Sequence, residues 1–185
     1  MSFSLSSKLK EHLAVIIISV VFLIVCGVCL NNIVIYSPDS ARYVVWAKSV
    51  AHLQGFYDDT TPEPTRYVIH APLFPVLLAP AALLFPNSVI AAKVVTTLFG
   101  LLTIGLFYFW IRDRVDRAFV VLSCSILAVN PLLILYSTQV LSDVPFVACT
   151  ILLFLVLERS DQELTRARTL TILAVVTSGF LLREV

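Results

Sequence analysis

Two carboxylates stand where polar sequence gives way to long apolar stretches. Asp39 lies in the sequence Ser-Pro-Asp-Ser, and Asp143 lies in Leu-Ser-Asp-Val-Pro-Phe. Ser caps helix N-termini, Pro suits the first turn and an acid complements the helix dipole, so both sequences predict a helix start. The dipole of a helix favours negative charge at its start. Acids beside apolar helices are costly to maintain, which makes the chain a candidate enzyme, although each acid could instead only cap its helix.

The composition is that of a membrane protein. Of the 185 residues, 59% are hydrophobic and 14% are charged, whereas a soluble domain has about 25% charged residues. The net charge of +1 gives no indication of a nucleic-acid partner. The four cysteines all fall in apolar stretches. Cys26 and Cys29 have the spacing of a redox or zinc motif, but a place in mid-membrane without a second ligand pair favours packing.

Five apolar stretches predict helices that cross a bilayer. They are residues 13–30, 88–110, 118–135, 140–157 and 170–185. Eight of the thirteen basic residues then share one side: Lys8, Lys10, Arg112, Arg114, Arg117, Arg159, Arg166 and Arg168. The positive-inside rule makes that side cytoplasmic and places the N-terminus there. The predicted fold class is therefore an all-α, multi-pass integral membrane protein of the inner or plasma membrane, with about five transmembrane helices in a single domain over residues 1–185.

Residues 31–87 form an external loop in this topology. Within it, residues 38–54 predict a helix that a glycine ends, and Tyr43 and Trp46 give that helix an apolar face suited to the headgroup level. The helix is expected to lie flat on the membrane surface. Residues 71–85 are apolar but contain three prolines, which predicts a re-entrant or interfacial segment rather than a crossing.

Three motifs follow one another in a recognisable order. An acid opens the surface helix, with Tyr43 four residues on, and Arg-Tyr-Val-Ile-His-Ala-Pro-Leu (66–73) leads into the proline-rich stretch. Asn-Pro and Tyr-Ser (130–137) then precede Leu-Ser-Asp-Val-Pro-Phe (141–146). This order, over about residues 13–183, resembles the polyprenyl-phosphate-sugar glycosyltransferases of the GT-C fold. The protein O-mannosyltransferase and lipid A aminoarabinose transferase group is the most similar.

The resemblance implies a reaction and roles for named residues. Such enzymes take a sugar from a polyprenyl phosphate at the outer leaflet and pass it to a hydroxyl or amine of a protein, lipid or glycan. It implies that Asp39 is the general base, which must reach the acceptor proton. Cations that hold the departing lipid phosphate would stabilise its developing charge. The substrate and phosphate contacts expected are Tyr43, Arg66, His70, Asp143 and Arg183, with His70 near the place where the aminoarabinose transferases have a lysine.

The chain also departs from that group. The mannosyltransferases share an Asp-Glu pair, whereas here Ser40 follows Asp39. The aminoarabinose enzymes carry an acid shortly before their Lys-Pro, and Ile69 stands near that place here, so a metal site built on that acid has no support and no cofactor is expected. Full-length members have more membrane helices. The chain is therefore expected to be the N-terminal part of a longer enzyme or a truncated gene product.

Other interpretations stay open at this point. A transporter or flippase subunit for a lipid-linked sugar would need a polar path through the membrane, and the helices carry almost no charge at mid-membrane. A non-catalytic scaffold, left from a transferase gene, would fit the early end of the chain. Arg66 and Arg183 could only reach to headgroups, as Lys93 is expected to do, and His70 could lie at the interface without a ligand.

Overall fold

We describe the computed structural model over residues 2–33, 38–58, 65–66, 72–86, 88–158 and 166–183, with the backbone alone for residues 2–8, 58, 65 and 66. Eight helices lie in this part of the chain: α1 (Ser2–Cys29), α2 (Pro38–Ala51), α3 (Leu73–Leu84), α4 (Val89–Ile111), α5 (Arg117–Ala128), α6 (Pro131–Ser137), α7 (Asp143–Glu158) and α8 (Arg166–Leu182). Two strands of two residues, β1 (Tyr57–Asp58) and β2 (Thr65–Arg66), pair antiparallel. The predicted all-α class is confirmed, with this small strand pair added.

Two described helices are long and apolar enough to cross a membrane. They are Leu9–Cys29 and Val89–Ile111. A third crossing is present if α5 and α6, which meet at a bend of 53°, count as one. Helices α7 and α8 have 16 and 17 residues and fall below that length. Within the described residues, length and composition therefore give two or three candidate spans, and the five expected from the sequence are not confirmed.

The predicted third crossing is two helices. Residues 118–135 were expected to form one helix, but α5 ends at Ala128 and α6 begins at Pro131. Pro131 lacks an N–H and disfavours a helical conformation at Asn130. The Asn130 side chain instead caps α6, accepting from the N–H groups of Leu132 and Leu133 at 2.9 and 3.2 Å.

Helix α2 ends three residues before the predicted boundary and closes without the expected glycine. The N–H of Gln54 bonds the carbonyl of Ser49, and the N–H of Leu53 bonds that of Val50, at 3.0 and 2.9 Å. This is the bonding of a Schellman motif, with Leu53 in the left-handed position at φ 60°. Gly55 follows at φ 78° and turns the chain away. The glycine thus marks the turn after the helix and not the helix end.

The apolar face of α2 packs on protein. Tyr43 and Trp46 are 5% and 1% exposed, in a cluster with Phe74 and Leu78 of α3. The Tyr43 and Phe74 rings meet edge to face, with centroids 4.9 Å apart. Both rings are therefore covered by α3, and the placement of α2 at the headgroup level stays a prediction.

The proline-rich stretch contains a regular helix. Helix α3 has 12 residues, about 18 Å at 1.5 Å per residue, too short for a hydrocarbon core about 30 Å thick. Pro72 precedes the helix and Pro75 lies in its first turn, where an N–H has no acceptor within the helix. Pro80 alone lies in the helix interior. The segment is helical because two of its three prolines cost no backbone bond, and its re-entrant or interfacial position stays a prediction.

Contacts at the two ends of the helices define their direction. At one end, which we call the acidic end, a cluster joins α2 and α3 to Ala92 near the start of α4, Val140 just before α7 and Leu182 at the end of α8. The start of α4 also holds the end of α1, because the Lys93 ammonium donates to Asn31 Oδ1 at 2.7 Å and to a carbonyl two residues on. The starts of α4 and α7 and the ends of α1 and α8 therefore meet here.

The opposite end, which we call the arginine end, joins the other termini of the same helices. Glu158, the last residue of α7, accepts from Trp110 Nε1 at 2.7 Å and from Arg114, which follows α4. Arg168 in α8 donates to carbonyls in the last turn of α7 at 2.9 and 3.0 Å. Arg117 at the start of α5 lies 3.6 Å from Glu11 in α1. Helices α1, α4, α7 and α8 thus each run from one end to the other. Helices α1 and α8 run from the arginine end to the acidic end, and α4 and α7 run the opposite way.

Candidate active site

Asp39 lies in the first turn of α2 and is half-buried at the acidic end. Its carboxylate is placed where the helix dipole favours negative charge. Tyr43 is four residues further on, which puts both side chains on the same face of α2. The local sequence explains this arrangement: Pro38 fixes the first helical position, and the aromatic residues that follow drive the face toward α3.

The hydroxyl of Tyr43 meets α7. Its Oη lies 3.3 Å from Ser142 Oγ, and the two residues are 5% and 8% exposed. The Ser142 carbonyl accepts the backbone N–H of Phe146 at 2.9 Å, which puts Ser142 at the cap position of α7. Asp143 is therefore the first helical residue and not the cap, and it is half-buried beside Ser142.

Both carboxylates act on Tyr43. Burial raises the pKa of the Tyr43 phenol above its ordinary value of 10.0, and the hydrogen bond from Ser142 opposes that rise. The negative charges of Asp39 and Asp143 raise the pKa further. Tyr43 therefore stays protonated at any physiological pH, as a neutral hydroxyl between two acids. The structure brings three of the predicted site residues together at this point: Asp39, Tyr43 and Asp143.

Of the three cations predicted to bind the phosphate, the structure describes the side chain of one, Arg183. Arg183 is exposed at the end of α8, with its guanidinium 5.2 Å from the ring centroid of Phe146, one turn along α7 from Asp143. The backbone of Arg66 pairs with Tyr57 in the strand pair beside α2, and its side chain lies outside the described residues. His70 also lies outside them. Arg183 is thus the one predicted cation whose side chain the structure places at the acidic end.

Two further polar residues at this end were not predicted to be part of the site. Ser142 joins Tyr43, and its signal in the sequence was its place just before Asp143 at a helix start. Ser40 is 2% exposed, and its hydroxyl has no hydrogen-bond partner among the described residues. In the sequence, only its position next to Asp39, the candidate base, could have indicated Ser40. A lone serine at a helix start reads as a cap, so sequence alone did not separate these two from ordinary capping residues.

Lys93 does not reach to the headgroups as expected. It is 4% exposed and donates to Asn31 Oδ1 at 2.7 Å and to the carbonyl of Ile33 at 2.9 Å. The ammonium is buried because the end of α1 supplies two acceptors within reach of the first turns of α4. Its role in the structure is to fasten α1 to α4 close to the acidic end.

The cavities in the described part of the chain lie at both ends of the helices. Larger cavities, of about 360 and 620 Å³, lie among the charged residues of the arginine end, around Arg112 and Asp113. A smaller cleft of about 50 Å³ lies at the acidic end between α2, α3 and α4, and apolar residues line it together with Lys48 and Ser88. The larger cavities therefore do not lie beside Asp39 and Asp143. They are open hollows between exposed charged side chains. Among the described residues no three His, Cys, Asp or Glu side chains come together as a metal site.

The sequence model of the dolichyl-phosphate-mannose-protein mannosyltransferase family matches residues 69–185. The chain belongs to this family. The resemblance drawn from the sequence is confirmed, and membership implies a membrane glycosyltransferase of the mannosyltransferase type, with a lipid-linked sugar donor and a protein or glycan acceptor. No curated protein and no solved structure matches the chain.

The matched region divides the candidate site. Asp143, His70 and Arg183 fall inside the mannosyltransferase match, whereas Asp39 and Tyr43 precede it. The case for Asp39 therefore rests on its position in α2 and on the Tyr43–Ser142 contact, which carries α2 to the matched part of the chain.

Proposed function

We propose that the protein transfers a sugar from a polyprenyl-phosphate donor to a hydroxyl or amine acceptor on the non-cytoplasmic face, with Asp39 as the general base. The observation that carries the proposal is the meeting of Asp39 and Asp143 around Tyr43. It occurs at the end opposite the arginine cluster, in a chain that belongs to the mannosyltransferase family. Two half-buried acids on converging helix starts are a costly arrangement, which supports a functional role.

The proposed reaction is a single displacement at the sugar. The Asp39 carboxylate takes the proton of the acceptor as the acceptor atom bonds to the anomeric carbon of the sugar. The bond from that carbon to the phosphate oxygen breaks, and the lipid phosphate leaves with the electron pair. A single displacement of this kind inverts the anomeric configuration. Arg66, His70 and Arg183 stabilise the departing phosphate, and Asp143 binds hydroxyl groups of the substrate.

The same proposal includes five crossings with the N-terminus in the cytoplasm. Helices α7 and α8 are short, but each makes contacts at both the acidic and the arginine end, as α4 does. Helices α5 and α6 together run from Arg117 at the arginine end to Ser137, whose carbonyl accepts from Thr97 in α4 at 2.8 Å. The positive-inside rule then makes the arginine end cytoplasmic and the acidic end external.

The test is Asp39→Asn in the full chain, in membranes supplied with labelled dolichyl-phosphate mannose and an acceptor peptide rich in Ser and Thr. Loss of the base should lower the rate of transfer by about a hundredfold or more, with normal membrane insertion. The matched control is Asp113→Asn, since Asp113 has a side chain 80% exposed at the arginine end, and it should transfer at the wild-type rate.

Each other outcome overturns part of the proposal. An unchanged rate in Asp39→Asn removes Asp39 as the base. Wild-type membranes that consume no donor point to the scaffold. Donor that crosses the bilayer of sealed vesicles without being consumed points to a transporter subunit.

A further inference from the structure

Tyr43 and Ser142 join the two helix starts that carry the acids. Asp39 precedes Tyr43 by one turn of α2, and Asp143 directly follows Ser142. The two hydroxyls lie 3.3 Å apart, and both residues are buried. Any change in the spacing of α2 and α7 at this point therefore changes the distance between the two hydroxyls, and with it the distance between the acids.

Each partner is held by its own element. The Tyr43 ring packs edge to face on Phe74, with centroids 4.9 Å apart, and on Trp46, with centroids 6.4 Å apart. Ser142 is fixed by the first backbone bond of α7, which its carbonyl accepts from Phe146. Because the Tyr43 ring is held by its packing and the Ser142 backbone by its helix, the contact between the two hydroxyls couples the positions of α2 and α7.

Tyr43 is also poorly placed to touch a lipid phosphate. It is 5% exposed, and its hydroxyl already contacts Ser142. A phosphate contact would need that hydroxyl to face an open site. The same phenol lies in the field of two carboxylates, which disfavours an anion beside it.

We propose that Tyr43 and Ser142 are positioning residues, which together hold Asp39 and Asp143 at the separation that sugar transfer requires, and that Tyr43 does not touch the substrate. This inference rests on the proposed function. It gives Tyr43 a different role from the phosphate contact that the family resemblance implied, and it assigns a role to Ser142.

The test is a double-mutant cycle with Tyr43→Phe, Ser142→Ala and both changes together, in the full chain with dolichyl-phosphate mannose as the donor. Each single variant should lower kcat about tenfold, because a small misplacement of reacting groups is costly, with KM for the donor within about twofold of wild type. The double variant should be no slower than either single variant, since both remove one contact. Ser142→Thr, which keeps the hydroxyl, should recover most of the rate.

Two control variants change the same groups elsewhere. Tyr136→Phe removes an exposed phenol from α6, and Ser49→Ala removes a buried hydroxyl of α2 that has no partner among the described residues. Both should keep the wild-type kcat. A thermal midpoint is measured for every variant, so that a loss of folded protein is separated from a loss of rate.

Three results overturn the inference. A raised KM with unchanged kcat makes Tyr43 a substrate contact. Additive losses in the double variant show that the two residues act separately. A lowered thermal midpoint with full kcat makes the pair merely structural. Asp39→Asn separates this failure from that of the proposed function: if it abolishes transfer while both single variants are normal, the positioning role alone fails, and if it transfers normally, the proposed function fails.

Discussion

Tyr43 is the residue whose titration reports on the site without any substrate. Its phenol is buried and lies near two carboxylates, and both conditions disfavour the phenolate. Its pKa is therefore raised above 10.0 in the folded protein, while the unfolded chain titrates near the ordinary value. The folded state holds the proton more tightly, so the stability that Tyr43 contributes is fully present below pH 10.0 and is lost as the pH rises through the raised value.

Replacing Tyr43 by Phe should flatten that dependence. In detergent, the thermal midpoint of the wild type should fall more steeply above pH 10.0 than that of Tyr43→Phe, because the variant has no buried phenol to ionise. Tyr136→Phe, in which an exposed phenol is removed, should follow the wild type. Equal slopes for the wild type and Tyr43→Phe would contradict the buried, acid-flanked setting.

At the scale of single residues, the sequence indicated which residues belong to the candidate site better than it indicated which residues they contact. Asp39, Tyr43 and Asp143 were chosen from helix-start patterns and from the family resemblance, and the structure brings them together. Lys93 was expected to reach the headgroups, because its acceptors, Asn31 and Ile33, lie about sixty positions away in the chain and no local pattern connects them. Ser142 went unassigned for the same reason, since its partner is 99 positions distant.

At the scale of elements, the sequence predicted where the long apolar helices lie but not where they break or end. The Asn-Pro start of α6 was visible in the sequence, but it lies within an apolar run long enough to cross a membrane, and the length outweighed it in the prediction. The end of α2 shows the reverse case. Gly55 was the obvious stop, yet Leu53 took the left-handed position at φ 60°, because the closing bonds of the helix form there.

Packing of α2 on α3 was also unpredictable, since both helices carry apolar faces that would suit lipid equally well.

The close approach of α4 to α6 gives a test at the scale of elements. A Cβ placed on Gly100 would lie 2.3 Å from Ser137 Oγ and 2.8 Å from Phe22 Cζ, so Gly100→Ala must displace these side chains. Overpacking of this kind should lower the free energy of unfolding by about 1–3 kcal/mol. Gly105→Ala is the matched control in the same helix, because nothing lies within 4 Å of its Cβ, and it should be neutral or stabilise by up to about 1 kcal/mol. Thermal midpoints that shift alike in the two variants would show that α4 and α6 do not pack this closely.

At the scale of the whole molecule, a cluster of described arginines lies at one end and the candidate site lies at the other. Arg112, Arg114, Arg117 and Arg168 lie at the arginine end, where Glu158 and Glu11 accept two of them. The acids, the aromatic cluster and Arg183 lie at the acidic end. Such a separation suits an enzyme whose donor and acceptor are reached from a single membrane face, since the positive-inside rule then fixes the face on which the site opens.

Accessibility of single cysteines tests both the orientation and the five crossings. In a variant without the four native cysteines, cysteine is introduced at Leu53 and Gln139, which the proposal places outside, and at Asp113 and Arg166, which it places inside. A maleimide that cannot cross membranes should label the first pair in intact cells and the second pair only after permeabilisation.

Leu53 and Asp113 compare the two ends across α4, and both positions are well exposed, with Leu53 at 94%. Gln139 and Arg166 compare the two ends across α7, whose 16 residues are fewer than the roughly 20 that a crossing needs. If Gln139 and Arg166 label from the same side, α7 does not cross and the five-span arrangement is wrong. If Leu53 labels only after permeabilisation, Asp39 faces the cytoplasm, and sugar transfer on the non-cytoplasmic face could not use it as the base.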